Sequence, residues 1–326
     1  MPFNNNVGRS DSSALVPEEV VNVMLGNVQG QSAALSQFRR VPVASGQTRF
    51  PILSALPIAY WVNGDTGIRQ TTEQKWSNKF LNVEEMSVIV PVPNNVLDDV
   101  EDAGGFNLWD EVQPLVEVAI ARTLDETVFF GINAPETFPT CIQDDAIARG
   151  FVYEEKYSAV GGTAPDAAEG GIQDDIDAAI ALLEPAGFDP SGIVANRTLK
   201  SKLRRARSSI GERLSGVNPD ITEYLDLAIS YPMRGLWPLG AGRSEAFIGD
   251  FAQEFVVGIR RDISFEILNE AVIQDNTGAI VYNLAQQRMT AMLFSFRGGW
   301  QVSNRIRYDQ PNEALRYPVA VLQSAS

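Results

Sequence analysis

Residues 48–92 read TRFPILSALPIAYWVNGDTGIRQTTEQKWSNKFLNVEEMSVIVPV, and their pattern decides the fold class. Phe50 and Ile52, then Ile58, Tyr60 and Val62, recur on alternate positions, and Met86, Val88, Val90 and Val92 repeat the alternation. Period two is the signature of strands with one covered face. A polar tip lies between the two runs, Asn63-Gly64-Asp65-Thr66-Gly67 followed by Thr71 to Lys79. Gly and Asn accept positive φ, so this is turn chemistry. The reading is a long β-ribbon with residues 86–92 as its return arm. A lone two-stranded ribbon is marginal in water. It must lie on its own domain or on another molecule, and the pattern alone leaves both open.

On the N-terminal side, residues 1–45 do not resemble a compact domain. Pro17-Glu18-Glu19 opens a short amphipathic stretch, because proline suits the first helical turn and acids suit its positive end. Arg39-Arg40 and Val41-Pro42-Val43 read as an extended arm that packs on something else. On the C-terminal side, Asn94-Asn95 caps a short helix over 96–100. A long helix over 108–130 follows, with Val112, Leu115, Val116, Ala119, Ile120, Leu124 and Val128 as its apolar face. Pro114 predicts a kink or restart, and Gly131 stops the helix.

Farther on, Ile172, Ile176, Ala179, Ile180 and Leu183 form one helical face, with Asp174, Asp175 and Asp177 toward water. Ile193-Val194-Ala195 reads as a short buried strand, and Asn196 caps a basic helix from Thr198 to Ala206. Short strands are expected near Phe247-Ile248, Phe255-Val256-Val257 and Ile263 to Leu268. Asp275 to Gly278 is a turn, Met289 to Val302 a long strand, and Ser303 to Ser326 an extended tail. A ribbon, a long helix, an α/β region and returning strands make an α+β fold, with the last strands packed beside the long helix.

Composition removes whole classes of chemistry. The 326 residues contain no His and one Cys, and the formal net charge is −15. Without histidine there is no Ser-His-Asp or Cys-His catalysis, no His-ligated zinc and no imidazole switch. One cysteine, Cys141, excludes intramolecular disulfides and Cys-rich zinc sites, and reads as a small buried or loop residue. Phosphate-loop and dinucleotide motifs are missing, since Gly240-Ala241-Gly242 lacks the third glycine. The carboxylate pairs Glu84-Glu85, Asp98-Asp99, Asp144-Asp145 and Asp174-Asp175 read as solvated surface, because acid–base catalysis needs carboxylates opposed across a cleft. No catalytic, cofactor or metal set is expected, no signal peptide is visible and no apolar run reaches membrane length.

Charge is uneven. Arg122 is the single base between Glu84 and Glu126, whereas Arg197, Lys200, Lys202, Arg204, Arg205, Arg207 and Arg213 crowd the later segment. A basic helix can meet nucleic acid, but it lacks interleaved aromatics for base stacking. Opposing the acidic and basic regions of copies of one chain is the better reading. Arg39, Arg40, Lys200, Arg204, Arg205 and Arg207 are the cationic candidates for such contacts. Trp61 and Phe80 are the apolar ones, because large apolar groups on a ribbon mark a contact.

Beyond these patterns, the segments Phe50-Pro51-Ile52-Leu53, Ala59-Tyr60-Trp61-Val62, Lys79 to Glu85, Val90-Pro91-Val92-Pro93 and Phe129-Phe130-Gly131, in that order, resemble tailed-phage major capsid proteins of the Hong Kong 97 type. Gly192 to Asn196, Gly249-Asp250-Phe251 and Asn283 to Gln301 fit later landmarks, and the likeness extends to capsid proteins of actinobacterial, including mycobacterial, phages. The resemblance implies an N-terminal arm at 1–45 and an extended loop at 46–83. It implies a peripheral domain from 84–149 and 262–326, with a spine helix at about 108–130, and an axial domain at 150–261.

The implied function is a structural one: self-assembly into hexamers and pentamers of an icosahedral head around double-stranded DNA. The DNA would be held without sequence-specific contacts, inside a virion assembled in a bacterial cytoplasm. A chain starting at Met1 leads us to expect a separate scaffolding protein, together with a portal and decoration proteins. The founding member joins a loop Lys to a neighbour's Asn beside a Glu. Lys75 or Lys79 with Asn283 would be the pair here, but no Glu lies between Glu270 and Glu313. The expectation is therefore a non-covalent shell. Other classes with the same bounds are an encapsulin-like nanocompartment shell and a soluble binding protein or enzyme.

Overall fold

The computed structural model describes residues 32–62, 67–69, 71–96, 108–156, 171–205, 222–232, 236–237, 244–275 and 277–324. The Pro17 stretch, the ribbon tip at 63–66, residues 97–100, Gly240 to Gly242 and Arg207 lie outside them.

Two sheets share one core. The four-stranded sheet has the order β1 (Arg39–Pro42), β10 (Phe255–Leu268), β13 (Met289–Val302), β4 (Glu84–Pro93). Its centre is the antiparallel pair β10–β13, two fourteen-residue strands in register from Phe255↔Val302 to Leu268↔Ala291, with shifts near Ile259 and Arg261. The separate strands expected at 255–257 and 263–268 are thus one strand, whose irregularities interrupt the sequence alternation.

The ribbon is built differently from the reading. Strand β2 (Gln47–Ala55) pairs with β3 (Lys75–Asn82), and Met86 to Val92 instead belong to β4, which pairs with β13. Period two reports that a strand has a covered face, not which strand covers its edge. Ile58, Tyr60 and Val62 follow β2 in irregular chain.

The second sheet has six strands, ordered β5 (Val152–Glu154), β14 (Val319–Gln323), β9 (Ser244–Gly249), β6 (Gly192–Ala195), β8 (Leu227–Ser230), β7 (Glu223–Tyr224). Strand β14 lies between β5 and β9 and is buried from Val319 to Leu322. The tail therefore ends inside this sheet. It crosses the boundary expected at residue 262, as does β10, which is continuous from Phe255. Sheet membership places the change of layer at α6 (Phe251–Glu254), between β9 and β10.

Helix α2 (Leu108–Phe130) passes along the core. Its buried face is Val116, Ile120, Ala121, Leu124, Val128 and Phe129. The face is rotated from the one expected, and Leu115 and Ala119 are exposed. The helix continues through Pro114 with no restart; Pro114 is on the exposed side, where water can take the bond its ring removes. Helix α4 (Gly171–Ile180) buries Asp175 as well as Ile172, Ile176 and Ala179, so Asp175 does not face water.

Preceding β1, the short helix α1 (Ala33–Gln37) delivers Phe38 into the aromatic centre of the core. The Phe38 ring stacks on Phe251 at 5.7 Å and lies 4.8 Å from Phe255. Burying such a ring is worth about 1.5–3 kcal/mol. The arm expected to pack on something else is therefore fastened to its own chain from Ser32 onward.

Candidate assembly surfaces

The ribbon leaves the body at a fixed base. Leu81 is fully buried, in a cluster with Val43, Val83 and Val256. The Gln301 side-chain amide donates to the Phe80 carbonyl at 2.7 Å, and the Asn82 amide donates to the Thr137 carbonyl at 2.7 Å. The Val83 N–H donates to the Gly46 carbonyl at 2.8 Å, closing the two arms. Farther out, Tyr308 donates to the Pro57 carbonyl at 3.0 Å, and Lys79 meets Glu313 at 3.3 Å.

Beyond that base, large apolar side chains stand in solvent. Trp61 is 100% exposed, Ile68 87%, Ile58 71%, Trp76 65% and Phe80 47%. Leaving them so forfeits about 25 cal/mol for every Å² of apolar surface that a contact would cover. Lys75 pairs at 3.0 Å with Glu73, a solvent-exposed pair of little worth to stability.

The basic helix α5 (Arg197–Arg205) has two faces. Asn196 Oδ1 accepts from the Thr198 N–H at 3.2 Å and starts it, as expected. Leu199, Leu203 and Lys202 face inward, whereas Arg204 is exposed. Lys200 lies 5.6 Å above the ring of Tyr231. The side chain of Arg205 is outside the described residues.

Lys202 meets its acids inside its own chain. Its Nζ lies 2.5 and 2.6 Å from the two oxygens of Glu155 and 2.6 Å from Glu245. All three groups are buried, and burial pushes the Glu155 carboxyl up to about 7, against the pull of Lys202 and helped by the negative charge of Glu245. Nothing in the sequence marked Glu155 and Glu245 as partners, since strand β9 and the end of β5 meet only through the sheet.

A second unforeseen group fastens the N-terminal segment. Asp125 accepts from Ser32 Oγ at 2.7 Å, from the Ala33 N–H at 2.9 Å and from the Ala34 N–H at 3.1 Å. Burial pushes its carboxyl up to about 6, and these three donors oppose the shift. The signal was present in position: Asp125 falls between Leu124 and Val128 on the apolar face. Glu254, fully buried, likewise holds Arg305 at 3.0 Å and Arg307 at 3.2 Å.

Among the remaining candidates, Arg39 and Arg40 are exposed on β1, the edge strand of the four-stranded sheet. Asn283 ends β12 (Ile280–Asn283), which pairs with β11 (Val272–Gln274), and its carboxamide oxygen accepts from the Gln286 N–H at 3.3 Å. Cys141 is buried, and desolvation pushes its thiol up to about 11, away from nucleophilic chemistry. Among the described residues, no group of three acids or thiols could hold a metal, and no helix is long and apolar enough to cross a membrane.

No curated protein matches the chain. A solved structure from Microbacterium phage Oxtober96 is similar at 30% identity and TM-score 0.75, over 90% of this chain and 91% of that one. One from Mycobacterium phage Adephagia gives 25% identity and TM-score 0.75, over 91% of each chain. The capsid of an empty GTA particle shares the fold at 14% identity and TM-score 0.58, over 98% of this chain and 94% of that one. The model described as "Phage capsid family" matches residues 13–305. The chain therefore belongs to the phage capsid family and is a major capsid protein, a non-enzymatic building unit of the icosahedral head shell.

Proposed function

We propose that the subunit closes into hexamers and pentamers by laying the β2–β3 ribbon across an adjacent copy, and that the shell so formed encloses double-stranded DNA. One observation carries this reading. The ribbon is pinned at its base by Leu81, Asn82 and Gln301, yet presents Trp61, Ile68 and Trp76 to solvent. A rigid projection with apolar knobs is a contact waiting for its other half. Residues 46–83 would be the interlocking loop. The four-stranded sheet with α2 would be the peripheral layer, and the six-stranded sheet, now including β14, the axial layer.

The links between copies are non-covalent in this proposal. Lys79 is engaged with Glu313, and the Asn283 carboxamide holds its own turn. Scaffolding, portal and decoration proteins are expected partners supplied separately. Electron microscopy of the purified chain tests the proposal: wild type should form closed shells, and Trp61→Ala should stay folded and fail to close them. Boiling shells in SDS should give one band at the monomer. A ladder would overturn the non-covalent link, and shells formed normally by Trp61→Ala would overturn the role of the ribbon.

A further inference from the structure

A cleft of about 110 Å³ opens where α2 passes the ends of β4 and β13. Its walls are Met86, Leu124, Pro135, Phe138 and Phe296, and Glu84 and Glu85 stand at its rim. We infer that this cleft receives Ile68 of a second copy of this chain, with Arg69 of that copy against Glu84 and Glu85. The inference rests on the ribbon crossing to a neighbour, and it adds where the ribbon lands.

Size selects the side chain. A cavity of about 150 Å³ holds a benzene ring, so the smaller cleft takes one branched aliphatic group and not the indole of Trp61 or Trp76. Among the exposed apolar residues of the ribbon, Ile58, Val62 and Ile68 have that shape. Charge then separates them. Ile68 is followed by exposed Arg69, whereas Ile58 sits between Pro57 and Ala59 and Val62 between Trp61 and Asn63.

The rim can accept that cation. Glu84 takes one hydrogen bond, from the Thr137 hydroxyl at 2.7 Å, and Glu85 lies 3.5 Å from Arg297. A carboxylate has about four acceptor positions, so both retain capacity for a guanidinium.

Topology explains why the occupant comes from another copy. Glu84 follows the end of β3 by two residues, so the cleft lies at the ribbon's base while Ile68 lies at its far end. The eight residues of β3 span roughly 26 Å, and the chain from Ile68 to Asn82 reaches at most roughly 45 Å when extended. A body of this length has a radius of gyration of about 20 Å and is about 50 Å across. The reach of the ribbon is therefore comparable to the width of one body, which brings its far end to an adjacent copy and not back to its own base. A tip-to-base contact is heterologous, the kind that closes into rings when repeated.

Disulfide trapping tests this in assembled shells. Full-length Ile68→Cys and Thr123→Cys variants, Thr123 lining the cleft, are mixed, assembled and oxidised. A dimer band that disappears on reduction is expected, and the Ile68→Cys/Thr123→Cys double variant should give a ladder. The buried, high-pKa Cys141 thiol stays silent, as each variant alone will show. In a second arm, Arg69→Glu should lower shell yield several-fold and Arg69→Glu/Glu85→Arg should restore it. Trypsin digestion separates the two levels of failure. A ribbon protected in shells, with neither disulfide nor rescue, overturns the landing site and leaves the crossing intact. A ribbon still cut after Arg69 and Lys75 in closed shells overturns the crossing itself.

Discussion

Gly299 and the main chain of Asn82 are so close that a side chain at 299 has no place to go. A Cβ on Gly299 would overlap the Asn82 carbonyl, and Leu81 closes the same space from the other side. Gly298 and Gly258 lie alongside and are crowded by Phe296 and Leu81. These glycines on facing strands leave the space in which the end of β3 sits. The direction of the ribbon is thus set by backbone resting on backbone, which is stiffer than any side-chain contact.

Gly299→Ala should therefore move the ribbon base or unseat it. The obstructing atom is main chain and cannot swing away, so the cost falls in the overpacking range of about 1–3 kcal/mol. Urea unfolding of the unassembled chain should show a lower midpoint at an unchanged slope. Gly278→Ala is the comparison that separates crowding from φ strain, because Gly278 has φ +85° and open space around it.

Lys202→Met should be among the most damaging single changes. It leaves Glu155 and Glu245 buried without their cation, a defect worth about 3–5 kcal/mol. The loss should shrink in mild acid, because Glu155 is then protonated. In wild type the sign is the same. A carboxyl raised from 4.5 to about 7 contributes fully below pH 4.5, and that contribution is lost as pH rises through 7. Thermal melts of unassembled protein between pH 5 and 8 should slope downward from this group, and Glu155→Gln should flatten the slope.

Asp125→Ala should free the N-terminal segment while the rest stays folded. Three donors at the start of α1 lose their acceptor, at about 1–3 kcal/mol for buried polar groups left unmet. Amide exchange at Ala33 and Ala34 should accelerate more than exchange in β10 or β13. Trypsin should gain access at Arg39 and Arg40. Uniform acceleration across both sheets would show that Asp125 holds the whole core and not the segment.

What could be read in advance followed from local periodicity. Strand β13, the long helix, the Asp275 turn and the strand Gly192–Ala195 all declare themselves within a few residues. Partner choice did not. Nothing within Met86 to Val92 says that β13 and not β2 lies alongside it, because hydrogen bonds along a strand edge are the same whichever strand supplies them. The same limit hid β14, whose run Val319 to Leu322 looked like an extended tail until β5 and β9 enclosed it. For the surfaces, the exposed Trp61 and Phe80 were legible because apolar residues on a ribbon conflict with solvent. Nothing local sets Lys202 apart from its basic neighbours, since its acids arrive from β9 and from the end of β5, 43 and 47 residues away.

That division of the basic helix leads to the last prediction. With Lys202 turned inward, Arg197 and Arg204 are the exposed cations at the two ends of α5 whose side chains are described, and Lys200 is half-buried against Tyr231. A contact made by Arg204 with an acidic face of another copy would act across solvent, where charges are screened beyond roughly 10 Å at 0.1 M salt. Its main effect is then on encounter and not on the strength of the finished shell. Light-scattering assembly of wild type should slow as salt rises from about 0.05 to 0.5 M, the range over which the screening length contracts most usefully. Arg204→Glu should assemble more slowly at low salt and respond less to added salt, while its unfolding free energy from urea titration stays within about 0.5 kcal/mol of wild type, as for an exposed substitution. Equal rates and equal salt responses in the two proteins would remove Arg204 from the assembly surface and leave Arg197, at the other end of α5, and Arg39 and Arg40, on the edge strand β1, as the cations to change next.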